Sequence, residues 1–98
     1  MSWYKISFSQ SEASIRIAEL AQDFHDTLLT AESRDGIALF RQKPVTGSNM
    51  VVFFISLNTP RPSESFQEFY RAEKCPPPEP YSVDHFGGDE SVLASDGS

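Results

Sequence analysis

The stretch MVVFFISL, residues 50–57, decides the fold. It is apolar apart from one serine, and it is rich in the β-branched and aromatic residues that favour a strand. Both of its alternating faces are apolar, so neither face is suited to water. We therefore predict that this strand lies at the centre of a sheet and is covered on both sides.

A strand, a helix and a second strand precede this stretch. In WYKISF, residues 3–8, apolar residues alternate as they do in a half-buried strand. Ser9 and Glu12 then have the spacing of a capping box, and Glu12 can pair with Arg16 one turn later. The apolar stripe that predicts the helix consists of Ala13, Ile17, Leu20, Ala21, Phe24 and Leu28. IALFRQK, residues 37–43, predicts a strand that joins the 50–57 strand in a hairpin.

A second helix is predicted to begin at Ser63, with Arg71 and Lys74 near its end. Its apolar stripe consists of Phe66, Phe69 and Tyr70. The prolines at 76–78 end this helix. The residues that predict a short edge strand after them are Tyr81, Val83 and His85.

The resulting order, β-α-β-β-α(-β), predicts a small α+β domain. It is compatible with a ferredoxin-like arrangement, in which two helices cover one face of an antiparallel sheet. We predict a single domain over residues 1–86, with a core at 3–74 and a proline-rich segment at 75–80. From residue 87 to residue 98 we expect a disordered acidic tail.

Two helices on one face leave the other face of the sheet bare. The first strand places Trp3 on that face. The 50–57 strand adds either Val51, Phe53, Ile55 and Leu57 or Met50, Val52 and Phe54. Either set is a larger apolar patch than monomers usually expose, so we expect a partner there, most simply a second copy. The alternative is that the C-terminal segment folds back over the patch through Tyr81, Val83 and Phe86.

Charge is distributed unevenly along the 98 residues. Residues 1–74 carry eight Lys/Arg and nine Asp/Glu, whereas residues 75–98 carry five acids and no base. A nearly neutral domain with an acidic end disfavours direct binding to nucleic acid, which requires a basic surface. The longest apolar run is too short to span a membrane. The single cysteine and the absence of a signal-like N-terminus lead us to expect a cytoplasmic protein.

No residue pattern predicts catalysis. His25 and Asp26 are adjacent on a helix and point about 100° apart, so they do not form one site. Cys75 is predicted at a helix C-terminus, where the dipole opposes a thiolate. No nucleophile elbow, phosphate loop or dinucleotide fingerprint is present. We therefore predict no catalytic, cofactor-binding or metal-binding residue and no cofactor.

The stretch CPPPEPYSVDHFGG, residues 75–88, has two motif-like features. Lys74, Pro77 and Pro80 have the spacing of a polyproline ligand. A stiff spacer that carries the chain across the surface is the alternative. Gly87 and Gly88 resemble the end of ubiquitin-like carriers, although ten residues follow, and a flexible exit from the fold is the simpler interpretation.

These observations favour a small non-catalytic protein that binds another protein, such as an adaptor or inhibitor, and that self-associates through the helix-free sheet face. The predicted interaction residues are Trp3, Val51, Phe53, Ile55, Pro77, Pro80 and Tyr81. One alternative is a dimeric α+β barrel-like protein with a small-molecule pocket, which would allow an enzyme. A third hypothesis is an acidic mimic of nucleic acid.

Overall fold

The computed structural model describes residues 2–25, 37–57 and 64–94. In these ranges the chain forms a five-stranded antiparallel sheet, three helices and a 3-10 turn at Pro80–Ser82. The elements are β1 (Ser2–Ser9), α1 (Ala13–Asp23), β2 (Ala38–Gln42), β3 (Met50–Leu57), α2 (Glu64–Tyr70), β4 (Glu73–Cys75), β5 (Val83–Gly88) and α3 (Ser91–Ala94). The strand order is β4-β1-β3-β2-β5.

Strand β3 lies at the centre of the sheet, with the bounds that the sequence predicts. It pairs with β1 along its whole length, from Ser9 opposite Met50 to Ser2 opposite Leu57. Strand β2 pairs on its other side. Placing the most apolar strand in the middle gives it neighbours on both edges and cover on both faces, as its sequence requires.

The α+β prediction is confirmed, while the ferredoxin-like arrangement is not established. Two features differ from that arrangement in the described residues. A fifth strand, β5, extends the sheet beyond β2. In addition, α3 packs on the face opposite α1 and α2. The predicted edge strand is β5, although Tyr81 precedes it in the 3-10 turn.

The main core lies between the sheet and α1 and α2. Its buried residues are Tyr4, Ile6, Phe8, Ala13, Leu20, Phe24, Ile37, Leu39, Phe53, Ile55, Leu57 and Tyr70. The predicted stripe of α1 is therefore the face that packs on the sheet, with Leu28 outside the described residues. Burial of this many large apolar side chains supplies most of the driving force for folding.

Helix α1 begins later than its capping box suggests. Strand β1 continues through Ser9, and the helix starts at Ala13. Glu12 then turns back to accept a hydrogen bond from the Ser9 N–H at 3.3 Å. The predicted Glu12–Arg16 pair is replaced, because Arg16 forms an ion pair with Glu19 at 2.7 Å.

Helix α2 ends earlier than predicted. Arg71 adopts a left-handed conformation, with φ of 52°, and the Ala72 N–H returns to the Gln67 carbonyl at 3.0 Å. The chain then forms β4, in which Lys74 lies opposite Tyr4 of β1. The prediction that Lys74 is helical is wrong, because pairing with the free edge of β1 replaces another helical turn. Ser63 and the side chain of Phe66 lie outside the described part.

Residues 76–82 link β4 to β5 across the whole width of the sheet. Four strand spacings separate these edge strands, about 19 Å. The register places Cys75 level with Ala38 and Val83 level with Gln42, an offset of about 13 Å along the strands. Residues 76–79 are extended and Pro80–Ser82 form the 3-10 turn. This segment, which we call the strap, carries the chain from one edge of the sheet to the other. Helices α1 and α2 occupy the first face of the sheet.

A second core lies on the second face. It consists of Trp3, Ala38, Phe40, Val83 and Leu93, with Phe54, Cys75 and Val92 at its margin. The rings of Trp3 and Phe40 lie 5.9 Å apart, and α3 contributes Leu93 and Val92. The face that we predicted to be bare is therefore covered in part by the chain's own C-terminal segment. Of the residues named for that alternative, Val83 is buried here.

The chain completes β5 at Gly88 and forms α3 at Ser91–Ala94, within the range for which the sequence predicts an acidic tail. Gly88 makes the turn between these elements possible. Its φ is +81°, and a Cβ there would lie 2.3 Å from the Ile37 carbonyl oxygen. The Asp89 N–H donates to that same carbonyl at 2.9 Å. The second glycine of the Gly-Gly pair thus lets the chain pass close to Ile37 and turn into α3. Residues 95–98 lie outside the described part.

Candidate interaction surface

Four of the predicted interaction residues lie on opposite sides of the sheet. Trp3 is on the second face and is only 5% exposed. Phe53 and Ile55 are fully buried beneath the helices, and Val51 packs on the same side. The register explains this split, because Trp3 lies opposite Ser56 rather than Ile55. In this structure these residues serve the cores, and their contact with a partner stays a prediction.

The register also selects between the two sets of β3 residues. Met50, Val52 and Phe54 share the second face with Trp3, since they alternate with the residues of the main core. Met50 is 48% exposed, while Val52 and Phe54 are half-buried. The open part of the second face is therefore its end near the β2–β3 hairpin.

The three predicted residues of the strap face solvent. Pro77 and Pro80 are exposed, and Tyr81 is 75% exposed. Tyr81 lies at the hairpin end of the sheet, because the carbonyl of its neighbour Ser82 accepts a hydrogen bond from the Lys43 N–H at 2.9 Å. The strap therefore adds an exposed aromatic side chain near the hairpin end of the sheet.

Four apolar side chains, three of them exposed and one half-buried, lie at the hairpin end of the sheet, and we call them the hairpin-end patch: Val45, Met50, Val52 and Tyr81. Six large apolar residues are exposed in the described ranges. Three of the six (Val45, Met50 and Tyr81) belong to this patch. Isolated exposed apolar residues are ordinary, but their concentration around one hairpin indicates a contact surface.

A cleft divides the patch where the sheet opens. The β2–β3 register ends at Arg41 opposite Phe53. Strand β2 then continues beside β5, with Gln42 opposite Val83, while β3 continues beside β1. The cleft has a volume of about 130 Å³ and is lined by Gln10, Arg41, Gln42, Lys43, Pro44, Val45, Ser48, Met50, Val51 and Val52.

The cleft is basic. Arg41 and Lys43 are both exposed and line it, and no carboxylate does so. Asp84 lies opposite Arg41 in the β2–β5 register. Across the described ranges neither base forms an ion pair. The positive charge at this end of β2 is therefore only weakly compensated.

The opposite end of β2 is acidic. Asp89 and Glu90 follow Gly88, which lies opposite Ala38. The Glu90 carboxylate lies 3.8 Å from Nδ1 of His85, whose Nε2 donates to the Gly88 carbonyl at 2.9 Å. His85 also packs edge-on against Phe40 of the second face. The acidic turn is thereby held at the end of the sheet away from the hairpin.

The candidate chemical groups of the described ranges are the metal-ligating residue types and the single thiol. No group of three or more metal-ligating side chains occurs in that part of the chain. Burial raises the pKa of the Cys75 thiol above its ordinary value, although Lys5 acts in the opposite direction and Glu73 adds to the rise. A raised pKa leaves less thiolate at neutral pH, so Cys75 lacks the activation that a nucleophile requires.

Comparison of the chain with family models, curated proteins and solved structures finds no match. Among the helices of the described residues, none is both long and apolar enough to cross a membrane. A functional proposal therefore rests on the surface of the structure alone.

Sequence reasoning missed Val45, Arg41 and Lys43 as parts of the surface. A usable signal was present, since two bases and an exposed valine flank a hairpin next to the most apolar strand. The loop has neither helical nor strand periodicity, so its sequence indicates only a connection. The sheet opens at this hairpin because β2 stops pairing with β3 and continues to pair with β5.

Proposed function

We propose that this chain is a non-catalytic protein that works by binding another protein, in the simplest case a second copy, through the second face of its sheet. An adaptor, an inhibitor or a small accessory factor would act in this way. The proposed frame is a ferredoxin-like arrangement extended by β5. A cytoplasmic site of action is part of the proposal, and the free thiol of Cys75 supports it.

The hairpin-end patch is the observation that carries the proposal. Tyrosine and methionine are enriched in protein interfaces because they offer a large apolar area with adaptable contacts. Tyr81 and Met50 present such areas at one end of the second face.

The small-molecule alternative has less support. Ligand sites usually have volumes of about 300–1,000 Å³. The cleft beside the hairpin measures about 130 Å³ and opens at the end of the sheet. A small-molecule site of the kind predicted from the sequence would need a cavity larger than this cleft, located between the sheet and the helices. Polar groups would have to converge in that cavity.

Light scattering tests the proposal. We expect the wild-type chain to form a dimer at micromolar concentrations and Met50→Glu to shift it to monomer, because the new carboxylate would be buried in the interface. Ile15→Glu is the matched control, since Ile15 is an exposed apolar residue of α1. A wild-type chain that stays monomeric, or a dimer that Ile15→Glu and not Met50→Glu disrupts, would refute this assignment.

A further inference from the structure

The two bases of the cleft lie on the same side of the sheet. Arg41 is opposite Phe53, a residue of the main core, so it belongs to the first face. Lys43 follows two residues later and alternates to the same side. About 7 Å of extended chain separates the two positions, and both side chains are exposed and line the cleft. Two positive charges therefore border one small opening at the hairpin end of the helix-covered face.

Neutral hydrogen-bond donors border the same opening. Gln10 lines the cleft, and the bond from its N–H to the Asn49 carbonyl, at 2.8 Å, holds it beside the hairpin. Ser48 also lines the cleft. Its hydroxyl oxygen accepts a bond from the Met50 N–H at 3.1 Å, which leaves the hydroxyl proton able to donate. An anion in the cleft would therefore meet donors as well as positive charge.

The nearby acids leave the charge of the cleft incompletely offset. Asp84 lies opposite Arg41 in the β2–β5 register, but no ion pair joins them within the described ranges. Glu12, two residues after Gln10, accepts a bond from the Ser9 N–H. Neither carboxylate lines the cleft. In a chain with a net charge of −6, this opening is thus a place where an anion is locally favoured.

We propose that the cleft binds a phosphate group through Arg41 and Lys43, as inorganic phosphate or as a small phosphate monoester. A monoester carries about −1.5 to −2 charges at neutral pH, which matches two bases better than the single charge of a carboxylate. Arginine binds phosphate through two parallel N–H donors, and lysine adds a point charge. The cleft volume of about 130 Å³ suits the group itself rather than a drug-sized ligand. This inference goes beyond the proposed self-association and does not depend on it.

Titration followed by two-dimensional NMR tests the site. At a fixed chain concentration, inorganic phosphate and methyl phosphate would each be added up to about 50 mM, with sodium chloride adjusted to hold the ionic strength constant. We expect amide shifts at residues 41–43 and 48 to saturate, with a dissociation constant of about 1–10 mM, because exposed ion pairs contribute little each. Similar binding of both probes assigns the site to the phosphate group, and binding of inorganic phosphate alone restricts it to the free anion.

Substitutions on both sides of the charge balance sharpen the test. Arg41→Gln and Lys43→Gln should each weaken phosphate binding about fivefold. Asp84→Asn should tighten it about twofold, because a competing carboxylate is removed, and a misfolded variant would not gain affinity. Lys74→Gln is the matched control and should leave binding unchanged, since Lys74 is an exposed base of β4 at the far edge of the sheet.

Three results would overturn the phosphate site. The first is a set of shifts that do not saturate or that sodium chloride alone reproduces, since these would reflect screening. The second is acetate binding at the same amides with equal affinity, because a single charge would then suffice. The third is an equal loss of binding in Lys74→Gln and Arg41→Gln. Self-association is measured separately by light scattering, so either proposal can fail without the other.

Discussion

The phenol of Tyr70 donates a hydrogen bond to the carboxylate of Asp23. These are the last residues of α2 and α1, so this bond ties the ends of the two helices together over the main core. Tyr70 is buried, and its ring also packs against Phe8 of β1. One residue thus connects both helices to the sheet.

Replacing Tyr70 with phenylalanine tests the value of this bond. We expect the free energy of unfolding to fall by about 2 kcal/mol, the usual loss for a hydrogen bond to a charged group. Urea denaturation measures the change. Tyr81→Phe is the control and should be neutral, because Tyr81 is exposed. Equal stability of wild type and Tyr70→Phe would contradict the assigned role.

The same bond predicts a pH dependence at the alkaline end. Burial, and then the hydrogen bond and charge of Asp23, raise the pKa of Tyr70 well above its ordinary value. The folded state therefore keeps the proton after the unfolded state has lost it. Stability from this group is complete below about pH 10 and is lost as pH rises above it. Urea midpoints at pH 8 and pH 11 should fall less in Tyr70→Phe than in wild type.

We expect the stability of the fold to depend on the planar guanidinium group of Arg16. Its Cζ lies 4.5 Å from the ring centre of Phe69, and its Nη2 donates to the Phe69 carbonyl at 2.8 Å. Arg16→Lys keeps the charge but loses the planar stacking. We expect a loss of about 1 kcal/mol in denaturation experiments. Arg41→Lys, on the exposed hairpin, should change stability by much less, and a similar loss in both variants would count against this explanation.

Gly88 and Gly47 form a matched pair for backbone strain. Both have positive φ, but a Cβ at Gly47 meets nothing within 4 Å, whereas one at Gly88 strikes the Ile37 carbonyl. Gly47→Ala should cost about 1 kcal/mol from conformation alone. Gly88→Ala should cost at least about 2 kcal/mol more, because the turn into α3 must shift. Thermal unfolding of both variants measures the difference, and equal costs would argue against the close approach.

Leu93 is expected to control the exposure of Trp3. Trp3 is the single tryptophan of the chain, so its fluorescence reports directly on the second core. Leu93→Asp should detach α3, shift the emission to longer wavelength and increase quenching by iodide. Ile15→Asp is the control, since Ile15 is an exposed residue of α1 on the other face of the sheet. Unchanged emission in Leu93→Asp would show that α3 does not cover Trp3.

The sequence allowed correct prediction of the elements whose local pattern and tertiary role agree. Residues 50–57 are apolar on both faces, and β3 lies at the centre of the sheet with those bounds. The stripe of α1 and the weak alternation around Val83 likewise correspond to a helix and an edge strand. In each case the periodicity of burial is visible in the residues themselves.

The other features of the structure depend on the register between strands. Local sequence patterns do not contain that information. Lys74 has no feature that distinguishes a helical end from a three-residue strand, and pairing with β1 decides it. The sequence does not show which β3 residues share a face with Trp3. The pairing of Trp3 with Ser56 determines that set. The strap follows only from the positions of two edge strands that are distant in sequence. The hairpin-end patch depends on the β4–β1 pairing, on the β1–β3 register and on the course of the strap.

Dilution followed by two-dimensional NMR tests the central claim most directly. Amide shifts of the wild-type chain would be compared between about 500 µM and 10 µM, a range that separates dimer from monomer for a dissociation constant of about 50 µM. We predict that the largest changes fall at residues 41–52 and 80–82, while α1 stays unchanged. Shifts that do not depend on concentration in a chain that diffuses as a monomer, or changes concentrated on α1, would contradict self-association through the second face.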